Sequence, residues 1–157
     1  MKSQSRVSSL VFTVYITVSF YVLGGSMVNA LVGYPTWHHV GADEFARFHQ
    51  ADSARIVPVF VMFFLFSFVP QILLLWFRPQ PVAKWLVVLA LACNGINLVS
   101  TMAIQIPIQL QLDQGYSEAL IDRLIATDLI FRRTTISLIG ILNAVMLYRV
   151  VRQAAER

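Results

Sequence analysis

Long uninterrupted apolar stretches dominate the hydrophobic pattern of this chain. Three stretches lack any charged residue and exceed the roughly 20 helical residues needed to cross a bilayer core: Val7–Ala42, Ile56–Phe77 and Trp85–Leu112. A fourth apolar stretch lies between Arg133 and Arg149, whose long side chains can reach the two membrane interfaces. The pattern predicts four membrane-spanning helices, over about residues 7–32, 55–77, 82–106 and 123–151.

Helix-breaking residues and one amphipathic stretch complete the predicted fold. We expect Gly33-Tyr34-Pro35 to end the first helix and Pro107 to end the third. The tight turn at Arg78–Pro81 makes the second and third helices antiparallel neighbours. The prediction is an all-α, integral membrane four-helix bundle, a single domain over residues 1–157. A short amphipathic helix in the first extracytoplasmic loop would present Phe45, Phe48, His49 and Asp52 on one face.

Composition agrees with this pattern and excludes several classes of protein. The chain is 57% apolar and only 13% charged, whereas soluble domains have about a quarter of their residues charged. The net charge of +4 does not indicate nucleic acid, because the basic residues lie at segment ends rather than in a patch. The lone Cys93 excludes an intrachain disulfide framework and a CxxC metal site. The partners we expect are membrane lipid and a lipophilic small molecule, with a protein partner left open.

The distribution of basic residues predicts the orientation in the membrane. With both termini in the cytoplasm, the inner side holds more lysine and arginine than the outer side. The inner group comprises Lys2, Arg6, Arg78, Lys84, Arg149, Arg152 and Arg157. We therefore predict a multi-pass protein with cytoplasmic termini and two extracytoplasmic loops.

Polar residues inside the spans form stripes at helical spacing. The third helix carries Asn94, Asn97, Thr101 and Gln105. The fourth carries Asp128, Arg132, Thr135 and Asn143, with Asp128 and Arg132 spaced for an ion pair. Such stripes usually face the interior of a bundle. Two interpretations remain open: hydrogen bonding between helices, or a polar cavity within the bundle.

The first outer loop concentrates the reactive side chains, since it holds all three histidines and three carboxylates. One interpretation is a metal site, with candidate ligands His38, His39, Glu44, His49 and Asp52. No HExxH pattern supports it, and adjacent histidines rarely reach one ion. A second interpretation makes His49 a general base that Asp52 orients. In the third, the loop is an interfacial helix without chemistry.

Three short motifs resemble the anthrone oxygenase-like family of small four-helix membrane proteins, much of which is bacterial. They are Phe45-x-x-Phe48-His49 after a tryptophan, Ile104–Gln109 at the end of the third helix, and Phe131-Arg132-Arg133-Thr134 opening the fourth. In that family a segment like N-V-P-x-N closes the third helix and an Arg-Thr pair opens the fourth. Gln105 and Gln109 stand here in place of the asparagines, and Asp128 stands where an aromatic residue is expected.

The resemblance implies an oxygenase of the bacterial plasma membrane that uses neither metal nor flavin and acts on a lipophilic anthrone-like or polycyclic substrate. His49 would remove a proton, and Arg132 or Arg133 would stabilise the resulting oxyanion. The expected catalytic residues are His49, Asp52, Arg132 and Arg133. The expected substrate-binding residues are Trp37, Asn97, Gln105, Gln109 and Asp128.

Two further functions stay open beside the oxygenase. The chain can be a non-enzymatic membrane subunit, or a module that binds lipid or a partner through Trp37, Phe45 and Phe48. It can also be a metal-dependent membrane enzyme. An enzyme is expected to bring His49 and an arginine together on an enclosed cavity, whereas a binding module is expected to expose the three aromatic residues as a patch.

Overall fold

The computed structural model describes residues 2–156, and side chains from Arg6 to Glu156. Within that range the chain forms four long helices, each with one π-helical segment near its middle or end. Helix α1 comprises Lys2–Val28, the π segment Asn29–Gly33, Tyr34–Thr36 and a 3₁₀ turn at Trp37–His39. Helix α2 comprises Ala42–Ile56, the π segment Val57–Val61 and Met62–Phe77. Helix α3 comprises Lys84–Ser100, the π segment Thr101–Gln105 and Ile106–Leu112. Helix α4 comprises Glu118–Thr127, the π segment Asp128–Arg133 and Thr134–Ala155.

The four helices are long and apolar enough to cross a membrane, which fits a multi-pass membrane protein. These stretches are Arg6–His39, Ala42–Phe77, Lys84–Leu112 and Glu118–Ala155. The all-α four-helix bundle is therefore confirmed. At 1.5 Å per residue the 36 residues of α2 rise about 54 Å. Since a hydrocarbon core is about 30 Å thick, part of this helix projects beyond it.

The two ends of the bundle differ in what they carry. We call the end that holds the α1–α2 connection at residues 40–41 and the α3–α4 connection at residues 113–117 the histidine end. The opposite end holds both termini and the connection at residues 78–83, and we call it the terminal end. Successive helices run antiparallel between these ends, because each connection is short.

Two helices continue past the residues that were expected to end them. Helix α1 extends through Gly33-Tyr34-Pro35 to His39, and α3 extends past Pro107 to Leu112. A proline lacks an N–H, and its ring clashes with the carbonyl four residues earlier. For Pro35 and Pro107 those carbonyls belong to Leu31 and Ala103, both within π segments. The wider π turn makes room for the ring, so the helix bulges instead of ending.

The predicted amphipathic helix is present, and it forms the first fifteen residues of α2 rather than a separate element. Its acidic first turn, with Asp43 and Glu44, suits the positive end of the helix dipole. Phe45 and His49 are fully buried against the bundle. Phe48, expected on the same face, is 40% exposed.

Apolar clusters fill the interior at three levels of the described bundle. The cluster at the terminal end includes Tyr15, Leu74, Leu86 and Met146. The middle cluster consists of Val18, Val22, Phe60, Phe64 and Ile136. The cluster at the histidine end consists of Tyr34, Trp37, Phe45, Ile108, Leu112, Ile121 and Leu124.

A buried hydrogen-bond network ties all four helices together in the terminal half. The Tyr15 hydroxyl donates to Asn143 Oδ1 over 2.7 Å, and Asn143 Nδ2 donates to Ser19 Oγ over 2.6 Å. Gln71 Nε2 lies 3.4 Å from the Tyr15 hydroxyl, and Asn94 Nδ2 donates to Gln71 Oε1 over 2.7 Å. For Asn94 and Asn143 the structure thus favours the first interpretation of the polar stripes, hydrogen bonding between helices.

Candidate functional site

A cavity of about 290 Å³ lies between the middle cluster and the cluster at the histidine end. Its volume is close to the lower limit of typical small-molecule pockets. The middle cluster contributes Phe60, Phe64 and Ile136 to its wall, and the histidine-end cluster contributes Tyr34 and Trp37. Polar side chains complete the wall: Ser26, Asn29, Asp52, Ser53, Asn97, Thr101, Gln105, Gln109, Asp113 and Arg132.

The π segments of all four described helices meet at this cavity. Each contributes at least one lining residue, for example Asn29 in α1, Val57 in α2, Gln105 in α3 and Arg132 in α4. Side-chain hydroxyls accompany two of these segments: Thr36 Oγ1 donates to the Gly33 carbonyl and Thr134 Oγ1 to the Leu129 carbonyl, each over 2.7 Å. π turns bulge the backbone and often occur at functional sites. Because the π segments of all four helices lie at the same height in the bundle and line this cavity, we take the cavity as the candidate site.

A cluster of three charged side chains lies on α4, with Asp128 and Arg132 buried and Arg133 half-buried. The Asp128 carboxylate lies 3.6 Å from Arg132 Nη1 and 3.4 Å from Arg133 Nη2, which confirms the ion pair expected from the spacing of Asp128 and Arg132. Arg132 lines the cavity and donates to the Tyr34 hydroxyl over 3.0 Å. Arg133 turns instead towards α1, where it donates to the Ala30 carbonyl over 3.3 Å. Adjacent helical residues point about 100° apart, so one helix turn cannot aim both guanidinium groups at the same cavity.

The charge of this cluster does not cancel, because two guanidinium groups share one carboxylate. Arg132 is only 8% exposed, and its Nε has no hydrogen-bond partner among the described residues. Asp128 was expected to bind substrate, but it does not line the cavity and pairs with the two arginines instead. A partly uncompensated, buried guanidinium is suited to hold an oxygen atom that carries negative charge.

His49 bridges α2 and α3 behind the cavity wall. Its Nδ1 lies 2.7 Å from Asp113 Oδ1, and its Nε2 lies 2.6 Å from Gln109 Oε1. The ring is fully buried, stacked on Phe45 and edge-on to Trp37 with ring centroids 4.9 Å apart. His49 itself does not line the cavity, whereas Gln109 and Asp113 do. Any effect of His49 on a bound molecule therefore passes through Gln109, Asp113 or Trp37, its three contacts in the cavity wall.

The contacts of His49 restrict where its protons lie. A doubly protonated ring donates to both Asp113 Oδ1 and Gln109 Oε1 as the side chains are placed. A neutral ring keeps its proton on Nδ1, and the Gln109 amide, turned by 180°, then donates to Nε2. In both arrangements the Asp113 carboxylate accepts a hydrogen bond from Nδ1–H.

Asp113, which the sequence interpretation passed over, holds the position predicted for Asp52. The carboxylate beside His49 comes from the end of α3 and not from its own helix, so the expectation that Asp52 orients His49 is wrong. Asp52 is half-buried and lines the cavity as a second carboxylate. A signal for Asp113 was present in the chain, since Gln105, Gln109 and Asp113 follow one another at four-residue spacing. Ending the predicted helix at Pro107 hid it.

The remaining predicted binding residues reach the cavity. Trp37, Asn97, Gln105 and Gln109 all line it, so the second interpretation of the α3 stripe, a polar cavity, fits its outer part. Gln105 Nε2 donates to Thr127 Oγ1 over 3.1 Å, while its buried Oε1 has no partner among the described residues. Together with Arg132 Nε, this leaves both an acceptor and a donor unpaired in the cavity wall.

The candidate metal ligands are dispersed. His38 pairs with Asp122 on α4 at 3.3 Å, His39 and Glu44 are exposed, and His49 is bound to Asp113 and Gln109. Within the described part of the chain, no three His, Cys, Asp or Glu side chains gather as a ligand group. The set of five proposed ligands is thus not brought together in this conformation.

The aromatic patch expected of a partner-binding module does not form on the described surface. Trp37 is 3% exposed and Phe45 is fully buried, which leaves Phe48 as the exposed member of the three. Both buried rings contact His49. Trp37 and Phe45 therefore pack inside the bundle around His49 and do not form part of an exposed surface.

Searches against protein-family models, curated proteins and solved structures returned no match to this chain. The resemblance to anthrone oxygenase-like proteins thus stays a prediction from short motifs, and the function has to be argued from the site.

Proposed function

We propose that this protein is a cofactor-independent oxygenase that acts on a lipophilic, anthrone-like or polycyclic substrate within the membrane. The observation that carries the proposal is the convergence of Arg132 and the Asp113–His49 pair on one largely apolar cavity. A positive group and a carboxylate base are the two elements needed to form an enolate from a ketone. The motif resemblance points to the same class of reaction.

The substrate in this proposal is a ketone whose neighbouring ring system carries an acidic methylene group. Asp113, which faces the cavity, accepts a proton from the methylene carbon, and Arg132 stabilises the negative charge that develops on the carbonyl oxygen. His49 acts as a positioning residue, because its Nδ1–H donates to the Asp113 carboxylate and holds it in place.

Molecular oxygen then oxidises the enolate directly. The carbanion carbon forms a bond to oxygen, and the distal oxygen takes the proton back from Asp113 to give a hydroperoxide. Loss of water converts that carbon to a carbonyl, so CH₂ and O₂ become C=O and H₂O. The substrate supplies the electrons, and Asp52, the second carboxylate at the cavity, is placed to help remove the proton lost in the last step.

Oxygen uptake with anthrone tests this proposal. The purified protein in lipid nanodiscs is expected to consume one O₂ for each anthraquinone formed, at a rate well above spontaneous oxidation. Arg132→Met and Asp113→Asn are expected to remove most of the enzymatic rate, and Asp122→Asn, in the exposed pair with His38, serves as the matched control. A rate equal to that of empty nanodiscs, or unchanged rates in both variants, would contradict the oxygenase.

A binding module without turnover is the second candidate, and the largely apolar lining of the same cavity favours it. In that case the protein retains a membrane lipid or lipophilic molecule at Arg132 and releases it unchanged. Binding of anthrone with no oxygen uptake, and with affinity that depends on Arg132, would select this function over the oxygenase.

For the location we propose a bacterial plasma membrane with both termini in the cytoplasm. The excess of lysine and arginine at the terminal end supports this orientation. It places the cavity in the half of the membrane that faces away from the cytoplasm.

A further inference from the structure

We propose that the ligand reaches the cavity sideways from the bilayer, through an opening between α2 and α3. We further propose that it is an amphiphile, with an oxygen-bearing head at Arg132 and an apolar part in the opening. The inference rests on the proposed function only in taking this cavity as the ligand site. It concerns access and ligand shape, and it holds for a substrate or for a retained lipid.

The exposed part of the cavity wall identifies the opening. Three lining residues are strongly exposed on the outer surface of the bundle: Val57 at 47%, Ile106 at 39% and Leu110 at 60%. Val57 belongs to α2, and the other two belong to α3. Among the described residues, the walls from α1 and α4 contain no exposed side chain: Ser26, Tyr34, Trp37, Arg132 and Ile136 are buried, and Asn29 is half-buried.

The depth of these residues places the opening at a lipid boundary. Val57 lies 20 residues from Phe77 and Ile106 lies 22 residues from Lys84, where the two helices meet at the terminal end. At 1.5 Å per residue both lie roughly 30 Å from that end, which equals the thickness of the hydrocarbon core. The opening therefore lies where acyl chains meet headgroups, in the leaflet at the histidine end.

The opening is polar on the side towards the histidine end and apolar on the side towards the middle of the bundle, which suits an amphiphile. Towards the histidine end its edge holds Asp52 and Asp113, and towards the middle of the bundle the wall holds Phe60 and Val61. Deeper inside, Arg132, which lines the cavity and retains 8% of its surface exposed, offers its positive charge to an oxygen atom. A cavity of about 290 Å³ encloses the head and adjoining part of such a molecule, and a longer apolar part extends through the opening.

Packed apolar side chains fill the histidine end of the bundle beside the cavity. Trp37 and Phe45 are buried there together with Leu112, Ile121 and Leu124. These residues lie between the cavity and the α1–α2 connection, whereas Asp113, the first residue of the α3–α4 connection, lines the cavity itself. A lipid-dissolved ligand thus reaches the cavity without opening this cluster.

Photolabelling tests the route. The probe is palmitic acid that carries a diazirine midway along its acyl chain, added to the full-length protein in phosphatidylcholine nanodiscs. Light-induced adducts, mapped by peptide mass spectrometry, are expected at Val57, Val61, Ile106 and Leu110. Arg132→Met is expected to lower the yield at these positions at least fivefold, because the carboxylate of the palmitic acid loses its positive partner in the cavity.

Tryptophan substitutions give a second readout that does not depend on a buried charge. Leu110→Trp and Val57→Trp narrow the opening and are expected to lower the adduct yield at Ile106 at least threefold. The matched controls are Met102→Trp and Val59→Trp, whose residues are 61% and 55% exposed on the same two helices but do not line the cavity. They are expected to leave labelling unchanged.

Two outcomes would overturn the proposal. Adducts spread evenly over the lipid-facing sides of all four helices, unaffected by Leu110→Trp, would show contact with bulk lipid only. Adducts concentrated at residues 114–117, which do not line the cavity, would show access from water. Labelling requires no turnover. Specific adducts in a protein that consumes no oxygen with anthrone would therefore contradict the oxygenase and leave the access route standing.

Discussion

His49 Nδ1 lies 2.7 Å from Asp113 Oδ1, although 64 residues separate them along the chain. This contact joins the histidine-end part of α2 to the residue that follows α3, at the cavity. Asp113 lines the cavity, whereas His49, its hydrogen-bond partner, lies behind the cavity wall. His49, which the sequence predicted to be the general base, thus contacts the site through the carboxylate of Asp113.

Replacing His49 with alanine should destabilise the fold strongly. The variant loses a fully buried ring packed on Trp37 and Phe45, and it leaves Asp113 without its donor. We expect the free energy of unfolding to fall by about 2–4 kcal/mol. His39→Ala, at an exposed position, is the control and should change it by less than about 0.5 kcal/mol. Unfolding by SDS in mixed micelles measures both; equal effects would argue against the bridging role of His49.

Asp128→Asn should be among the costliest single substitutions in α4. It removes the carboxylate that pairs with both Arg132 and Arg133 and leaves one buried and one half-buried guanidinium group uncompensated. We expect a loss of about 3–5 kcal/mol in unfolding free energy. Asp122→Asn is the matched control, because its partner is His38 and its side chain is 66% exposed, so a change below about 1 kcal/mol is expected. A mild effect of Asp128→Asn would mean that the arginines do not need this carboxylate.

Alanine substitutions at two neighbouring glycines in α1 should have different effects, one on helix stability and the other on the shape of the cavity. A Cβ on Gly24 would contact nothing within 4 Å, whereas a Cβ on Gly25 would lie 2.8 Å from Phe60 Cδ2. Gly24→Ala should therefore stabilise the helix by about 0.5–1 kcal/mol. Gly25→Ala should push the Phe60 ring, which lines the cavity, and weaken ligand binding roughly tenfold.

Equilibrium binding of anthrone and SDS unfolding, measured on both glycine variants, test this pair. Unchanged affinity in Gly25→Ala would show that Phe60 moves away from the cavity and not into it.

The polar network of the terminal half should affect stability without affecting the cavity. Asn143→Ala removes the acceptor of the Tyr15 hydroxyl and the donor to Ser19. We expect a loss of about 1–3 kcal/mol in unfolding free energy, with no change in the affinity for anthrone. Unfolding and binding measured on the same sample test this; weakened binding would show that the network couples to the site.

Cysteine labelling should determine the orientation of the bundle. In a Cys93→Ser background, Gln114→Cys and Gln80→Cys place single thiols at exposed positions in connections at opposite ends. We expect a membrane-impermeant maleimide to label the Gln114→Cys variant in intact cells, and the Gln80→Cys variant only after lysis. The reverse pattern would place the histidine end in the cytoplasm.

Much of the architecture followed from the chain alone, because a bilayer imposes strict local demands. An apolar stretch without charges has to satisfy its backbone internally, so its length and composition predict a helix without knowledge of its neighbours. The Asp128–Arg132 pair was equally local, since four-residue spacing brings two side chains together on any helix. Proline was less informative, because Pro35 and Pro107 are absorbed by π turns that local sequence does not announce.

The tertiary structure decided which polar groups meet, since that depends on how each helix is rotated and shifted against its neighbours. Packing chose Arg132 over Arg133 for the cavity and placed Asp113, not Asp52, beside His49. It also buried Trp37, which the sequence allowed on a surface patch. Periodicity within one helix determines which side chains share a face, and only the packing of four helices determines what that face meets.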